Sequence, residues 1–281
     1  MKKRTGRNAA LPAGELHPAR LLDLCATKRL ARRIVLYDSI GSTNAAAMAA
    51  AAEGAGGGTL FIAEEQNAGK GRKGRSWSSA KGKSLTFSLL IRPAGRTEGL
   101  TALFALAVAR SLGDSFGGLA IKWPNDIFLN GKKLGGILAE SRDDSVVIGL
   151  GLDVNEETGD FSPGIAAEAT SMRIACKRVF DRGIVLCRIL EAFEELHDRF
   201  QEEGFAPFRE EIQGKLLFIG TQVIIESGEG SFEGRMIGIT NEGRLCLDVD
   251  GTERVFSSGD LTLRARSRQL RGGSRGMDSR A

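Results

Sequence analysis

The stretch "QNAGKGRKGRSWSSAKGKS", Gln66 to Ser84, decides between two architectures. Its core, Gly69 to Gly74, matches the GxGxxG pattern of a dinucleotide-binding α/β fold. That pattern requires a strand before it, a helix opening at its end and an acid about twenty residues further on. Here the run that follows, "SLTFSLLIRP", alternates as a strand does, and no suitable acid stands at the right place. A phosphate-binding loop of the GxxxxGK[ST] type fails too, because no Lys-Ser or Lys-Thr pair follows the second glycine of a GxxxxG. What remains is a loop between two strands that carries Lys70, Arg72, Lys73, Arg75, Lys81 and Lys83 with no acid among them. Like charges this close repel and glycine loses much entropy on ordering, so folding alone does not favour the segment. It suits closing over an anion such as a phosphorylated small molecule or an acyl phosphate.

Working outward, "RIVLYDSI" reads as a strand, "GSTNAAAMAAAAE" as a helix opening behind Ser42 or Thr43, and "TLFIAEEQ" as the strand entering the loop. "TEGLTALFALAVARSLGDSFGG" is a long buried helix with Thr97 as its expected N-cap. "AIKWPND", "IFLNGKKLGGILAES" and "SVVIGLGLDVN" are strand-like, with Asn130-Gly131 marking a hairpin turn. "DRGIVLCRILEAFEELHDRFQEEGF" is an amphipathic helix, and after Gly214 the chain becomes short alternating strands joined by Gly, Asn, Asp and Ser turns. The division expected is an N-terminal extension with one short helix (1–32), a main domain (33–213), a small C-terminal β-barrel (214–264) and a disordered basic tail (265–281).

The chain has 281 residues, 42% of them hydrophobic, and a net charge of +4 that is concentrated in its two terminal segments. Global charge is therefore a weak argument for nucleic acid, and a single Tyr and two Trp offer no stacking platform for RNA. Cys25, Cys176, Cys187 and Cys246 form no CxxC pair and read as reduced thiols of a soluble cytoplasmic protein, without a disulfide framework or a zinc site. No apolar run is long enough to span a bilayer and no signal segment is apparent. His17 and His197 lie outside every motif, which argues against a hydrolase.

"KWPND", Lys122 to Asp126, supplies further chemistry: Trp123-Pro124 is expected to fix an extended backbone, and Asp126 to offer a carboxylate for magnesium. Alone, the stretch would read as a surface turn with a packed Trp. It is followed at once by Lys133 among glycines that admit close approach of a ligand, and then by "GLGLDVN".

"STN", "EEQNAGKGRKGRSW", "KWPNDIFLNGKKLGGILAE", "IGLGLDVN" and "ATSM" occur in the order and approximate spacing of biotin protein ligases, and the chain resembles that family over about residues 33 to 264. The resemblance implies an α+β catalytic domain similar to class II aminoacyl-tRNA synthetases, with a mixed, largely antiparallel sheet, and an SH3-like C-terminal barrel. It implies ATP and magnesium as cofactors, biotin as substrate, and a biotin carboxyl carrier domain of a carboxylase as acceptor, in a monomer or homodimer. By the same resemblance Ser42, Thr43, Asn44, Gln66, Lys70, Gly71, Arg72, Trp77, Lys133 and Gly136 would serve biotin. Lys70, Arg72, Lys73, Asn125, Gly149, Gly151, Asp153 and Asn155 would serve the nucleotide, and Lys133, Arg72 and Asp126 the chemistry, with Asp126 on magnesium. Ser42 or Thr43 can equally cap a helix, and Asn155 can cap the turn before "EETGD".

Two positions depart from the family pattern: Lys70 stands where an arginine is usual, and Asp153 where an asparagine is usual. The first keeps charge but loses the bidentate fork; the second exchanges a donor and acceptor for an acceptor alone. A lipoate ligase shares the implied fold, but its motifs are not seen. With only about 32 residues ahead of the main domain, a winged helix and sequence-specific DNA binding are not expected.

Overall fold

A computed structural model describes residues 16–93, 95–113 and 116–263. The basic stretch before Leu16 and the tail expected over 265–281 lie outside the described residues. Nine strands come first: β1 (Arg33–Tyr37), β2 (Thr59–Ala63), β3 (Gly69–Lys70), β4 (Ser76–Trp77), β5 (Leu85–Ile91), β6 (Leu119–Lys122), β7 (Asp126–Leu129), β8 (Lys132–Arg142) and β9 (Ser145–Leu152). Seven of them make one sheet in the order β1-β2-β5-β9-β8-β7-β6, and only the β1/β2 pair is parallel. This is the mixed, largely antiparallel α+β sheet expected. Asn130 and Gly131, with φ of 51° and 77°, make the tight turn between β7 and β8, the conformation that an Asn-Gly pair adopts at low cost.

Helix α1 (Pro18–Leu24) is the short N-terminal helix expected, and α2 (Thr43–Ala52) opens at Ser42, whose side chain accepts from the Ala45 N–H. Ala47 of α2 packs with Phe61, Leu90 and Val147 on one face of the sheet. The opposite face carries α3 (Leu100–Leu112) and α5 (Arg182–Glu203), where Phe104 meets Phe87 and Phe193 edge to face. The short α4 (Met172–Cys176) precedes α5, and α6 (Arg209–Lys215) follows it. Strands β10 (Gln222–Ser227), β11 (Gly230–Ile239), β12 (Leu245–Val249), β13 (Thr252–Phe256) and β14 (Asp260–Leu263) form the C-terminal antiparallel sheet, ordered β13-β12-β11-β10-β14. Its Val223, Ile225, Met236 and Leu247 join the same hydrophobic core as α3 and α5.

The structure corrects three expectations. Thr97 does not cap α3: the N-cap is Gly99, in a left-handed conformation (φ 90°), and Thr97 only accepts the Leu100 N–H through its backbone carbonyl. Trp123-Pro124 is a cis peptide inside the turn between β6 and β7, not an extended segment. Cys25 and Cys187, expected as free thiols, are joined as a disulfide, while Cys176 and Cys246 are free. Neither cysteine has a CxxC neighbour, so the pairing is visible only once α1 lies on α5. Arg20 of α1 also pairs with Asp181, the N-cap of α5, and Glu194 accepts the backbone N–H groups of Lys28, Arg29 and Leu30 at 2.6 to 2.9 Å. No helix among the described residues is long and apolar enough to cross a membrane.

Candidate active site

A cavity of about 580 Å³ opens over one face of β8 and β9 and is roofed by the basic loop. Its floor depends on glycine. A Cβ at Gly149 would stand 2.1 Å from Asn44 Oδ1, and one at Gly151 would stand 2.3 Å from the Trp77 ring, so both positions must be bare for these side chains to lie on the sheet. At Gly135 a Cβ would meet the Gly151 carbonyl oxygen at 2.6 Å, so β8 and β9 pack closely there as well.

At one end of the floor the polar groups are tied to each other. Asn44 Nδ2 donates to the Leu138 carbonyl (3.1 Å) and to Glu140 (2.7 Å), and Asn44 Oδ1 lies 2.6 Å from Ser88 Oγ. The Thr43 N–H and hydroxyl both donate to Gln66 Oε1, at 2.7 and 3.0 Å. That fixes the Gln66 amide with its nitrogen left over. Trp77 brings a buried indole N–H that has no partner, and a buried donor without an acceptor costs free energy unless a ligand supplies one.

At the other end, Lys133 Nζ bonds Asp126 Oδ1 at 2.8 Å across the β7/β8 hairpin, and Gly136 clears the space beside them. The backbone of Lys133 also bridges residues 168 to 170, which brings the "ATSM" segment alongside β8 as a wall. Asp153 and Glu156 line the same end, only 7% and 2% exposed. Burial and then the neighbouring Glu156 charge push the Asp153 carboxyl well above the usual range, against the pull of Lys133. Burial pushes Glu156 up as well, against the hydrogen bond that it receives from Ser84.

The roof is built differently. The basic segment folds as a two-strand hairpin, β3 with β4, around a 3-10 turn at Arg72–Gly74. Arg72 reaches Asn125 Oδ1 (3.4 Å) and the Gly259 carbonyl (3.1 Å), and burial lowers its proton affinity. Lys73 and Arg75 pair with Asp260 of β14 at 3.1 and 3.0 Å. The C-terminal sheet thus holds the roof from outside the cavity.

Of the residues singled out in the sequence, Ser42, Thr43, Asn44, Gln66, Lys70, Gly71, Arg72, Trp77, Asn125, Asp126, Lys133, Gly136, Gly149, Gly151 and Asp153 all line this one cavity. Lys73 and Asn155 do not. Lys73 turns to Asp260 and the Glu226 carbonyl, and Asn155 spends both ends of its amide on the Phe180 backbone, at 2.9 Å each. Gly149 and Gly151 make room for Asn44 and Trp77, two of the residues assigned to biotin. Lys122, Arg75 and Glu156 line the cavity without having been singled out as site residues. Lys122 stood inside the quoted "KWPND", and Glu156 follows "GLGLDVN" directly, so neighbourhood to a motif was the available signal. No cluster of three or more potential metal ligands occurs among the described residues.

Residues 38–155 match the model of the Biotin/lipoate A/B protein ligase family, and residues 218–264 that of the biotin protein ligase C-terminal domain. The chain is 34% identical over 271 residues to the bifunctional ligase/repressor BirA of Bacillus subtilis, covering 93% of this chain and 83% of that protein. It is 32% identical to the biotin–[acetyl-CoA-carboxylase] ligase of Mycobacterium tuberculosis, covering 82% and 88% of the two. Among solved structures, the biotin protein ligase of Aquifex aeolicus in complex with biotin and ATP superposes with a TM-score of 0.74 at 28% identity, over 83% of this chain and 99% of the other.

Proposed function

Because the chain belongs to the biotin protein ligase family, we propose that this cavity joins biotin to ATP as biotinyl-5′-AMP and passes the biotinyl group to a lysine of a carboxyl carrier domain. The observation that carries this reading is that Lys70 and Arg72 from the roof and Lys133, bonded to Asp126, from the floor line one cavity whose opposite end is the polar Thr43–Gln66 group. In the first step the biotin carboxylate oxygen attacks the α-phosphorus, the P–O bond to the leaving pyrophosphate breaks, and negative charge gathers between two anions. Fixed cations placed there stabilise that charge in the transition state more than in the ground state. Lys133 is set for this by its bond to Asp126, which holds the ammonium in place. In the second step a neutral lysine amine of the carrier attacks the mixed anhydride carbon and AMP leaves with the bonding pair; the amine first gives up its proton to Asp126 or solvent.

The Thr43–Gln66–Trp77 end fits biotin. Its free Gln66 Nε2 and unpartnered Trp77 N–H offer donors to a ligand that is largely apolar with a few acceptors. Asp126 fits magnesium, since one carboxylate oxygen is taken by Lys133 and the other remains, and magnesium commonly uses one or two carboxylates together with substrate phosphates. Bound there, the ion would neutralise phosphate charge. The protein works in the cytoplasm in this reading, on a carrier domain supplied by a biotin-dependent carboxylase. Biotin-dependent exchange of labelled pyrophosphate into ATP tests it: exchange with biotin and not with lipoate is expected, and equal rates with both acids would overturn the substrate assignment.

A further inference from the structure

Arg182 has no part in the steps above and does not line the cavity, yet it stands where a cation is hard to place. It is the first residue of α5 and only 3% exposed, so its guanidinium is withdrawn from water and set at the positive end of a helix, and both disfavour its charge. What offsets this is a pair of partners drawn from one feature of the fold. Arg182 Nη1 donates to the Ser84 carbonyl at 3.0 Å and stands 2.7 Å from Glu64 Oε2. That Glu64 oxygen is buried and receives no hydrogen bond, so the Arg182 charge is what compensates it. Glu64 directly follows β2 and Ser84 directly precedes β5, two strands that pair with Ala63 opposite Thr86. They are the two feet of the basic loop, and one buried guanidinium touches both. Everything that the loop brings to the cavity, from Gln66 through Lys70 and Arg72 to Trp77, lies beyond that tie. The other end of the tie is firm, because Phe193 of α5 packs on Phe104 of α3 and the α5 N-cap, Asp181, pairs with Arg20 of α1.

We propose that Arg182 is a positioning residue: it ties both feet of the basic loop to α5 and so sets how firmly the roof closes over its ligand. The inference rests on the reading of the cavity as an adenylation site whose roof retains the acyl-adenylate. The roof is then held at two places by two kinds of contact. At its tip, Lys73 and Arg75 meet Asp260 in exposed ion pairs that salt screens. At its feet, the Arg182 contacts are buried and screened little, so the stem keeps its geometry while the tip opens and shuts. Cutting the tie removes no group that lines the cavity, and it frees the base from which Gln66 and the roof cations are aimed. The bound ligand should therefore leave faster although every side chain facing it is still present.

The test separates the tie from its contribution to stability. Arg182→Met cuts the tie and leaves the Glu64 charge buried alone; Arg182→Met combined with Glu64→Met cuts the tie and leaves no charge behind. Three quantities are read on each chain: the denaturant midpoint, the rate at which a bound acyl-sulfamate analogue of biotinyl-AMP dissociates, and amide hydrogen exchange over residues 65–83 without ligand. The midpoint should fall in the single variant and recover in the double. Dissociation and exchange over 65–83 should instead be about tenfold faster than native in both, the effect of one lost hydrogen bond to a charged group, while in the double variant the middle of α5 exchanges at the native rate. Rates that return to native values together with the midpoint would overturn the proposal and leave Arg182 a residue of stability alone, and native rates in both variants would overturn it as well. Should Arg182→Met not fold, the double variant decides by the same two rates. Failure of the native chain to bind the analogue would overturn the ligase reading; hydrogen exchange then decides the tie by itself, faster exchange over 65–83 in the variants upholding it and native exchange removing it.

Discussion

The floor and the roof of the cavity are made of different physics. The floor is β8 and β9 with α2 and Trp77 laid on glycines, and its polar groups are bonded to each other at buried, short distances. The roof is a small hairpin whose Lys73 and Arg75 are half or more exposed and pair with a single carboxylate on β14. The floor is therefore specified by shape and changes only by repacking, at a cost of kilocalories. The roof is specified by charge and can open for little, because exposed ion pairs contribute about 0–1 kcal/mol each and are screened by salt. On the function proposed above, a site that admits two substrates and then keeps water from a mixed anhydride gains from this division.

Lys133 is where the two overlap, a cation mounted on the rigid floor, so Lys133→Met tests which surface supplies the charge that matters. Removing one donor aimed at transition-state charge costs about 2.7 to 4 kcal/mol, so single-turnover adenylation should slow by about a hundredfold or more, while Lys132→Met, on the exposed side of the hairpin, leaves it nearly unchanged. Near-normal adenylation by the Lys133 variant would move the chemistry to the roof. Shape on the floor is tested by Gly149→Ala. The added methyl falls on Asn44 Oδ1, and overpacking of this kind costs about 1–3 kcal/mol, read as a lower denaturant midpoint together with weaker biotin binding. An unchanged midpoint would mean that Asn44 swings aside freely and that the floor is not rigid. The smallest effect belongs to the roof. Asp260→Asn should leave global stability within about 1 kcal/mol yet speed amide hydrogen exchange in residues 70–76 roughly threefold, and high salt should do the same to the native chain. Slow exchange that ignores both would mean that something other than charge holds the roof down.

What the sequence disclosed follows the same line. Strands and the Asn130-Gly131 hairpin were legible because alternation and a left-handed turn are local properties. The glycines beside Lys133 were legible as places of close approach, and Gly149 and Gly151 of "GLGLDVN" entered only through the family resemblance; that Asn44 and Trp77 lie against these two could not be read from the sequence, because both come from distant parts of the chain. Lys73 shows the limit most plainly. In sequence it is one more cation in a phosphate-seeking loop, and only the fold reveals Asp260, far along the chain, turning it away from the cavity. The Thr97 expectation failed for a smaller reason. A threonine near the start of a helix is a good cap in general, but Gly99 adopts φ 90° here and starts the helix later.

The Cys25–Cys187 bond gives the chain a topology that its contacts alone do not. The bond closes a covalent ring with a sequence separation of 162, and every residue lining the cavity, from Ser42 to Ala169, lies within it. The C-terminal sheet, with the Asp260 that steadies the roof, hangs outside as a tail on the ring. While the bond stands, a single backbone cut inside the ring opens it without detaching any piece of the site from the chain; a cut between Cys187 and the C-terminal sheet leaves that sheet held by packing alone. The pocket is thus the part of the molecule whose covalent continuity survives one break, and its latch is the part whose covalent continuity does not.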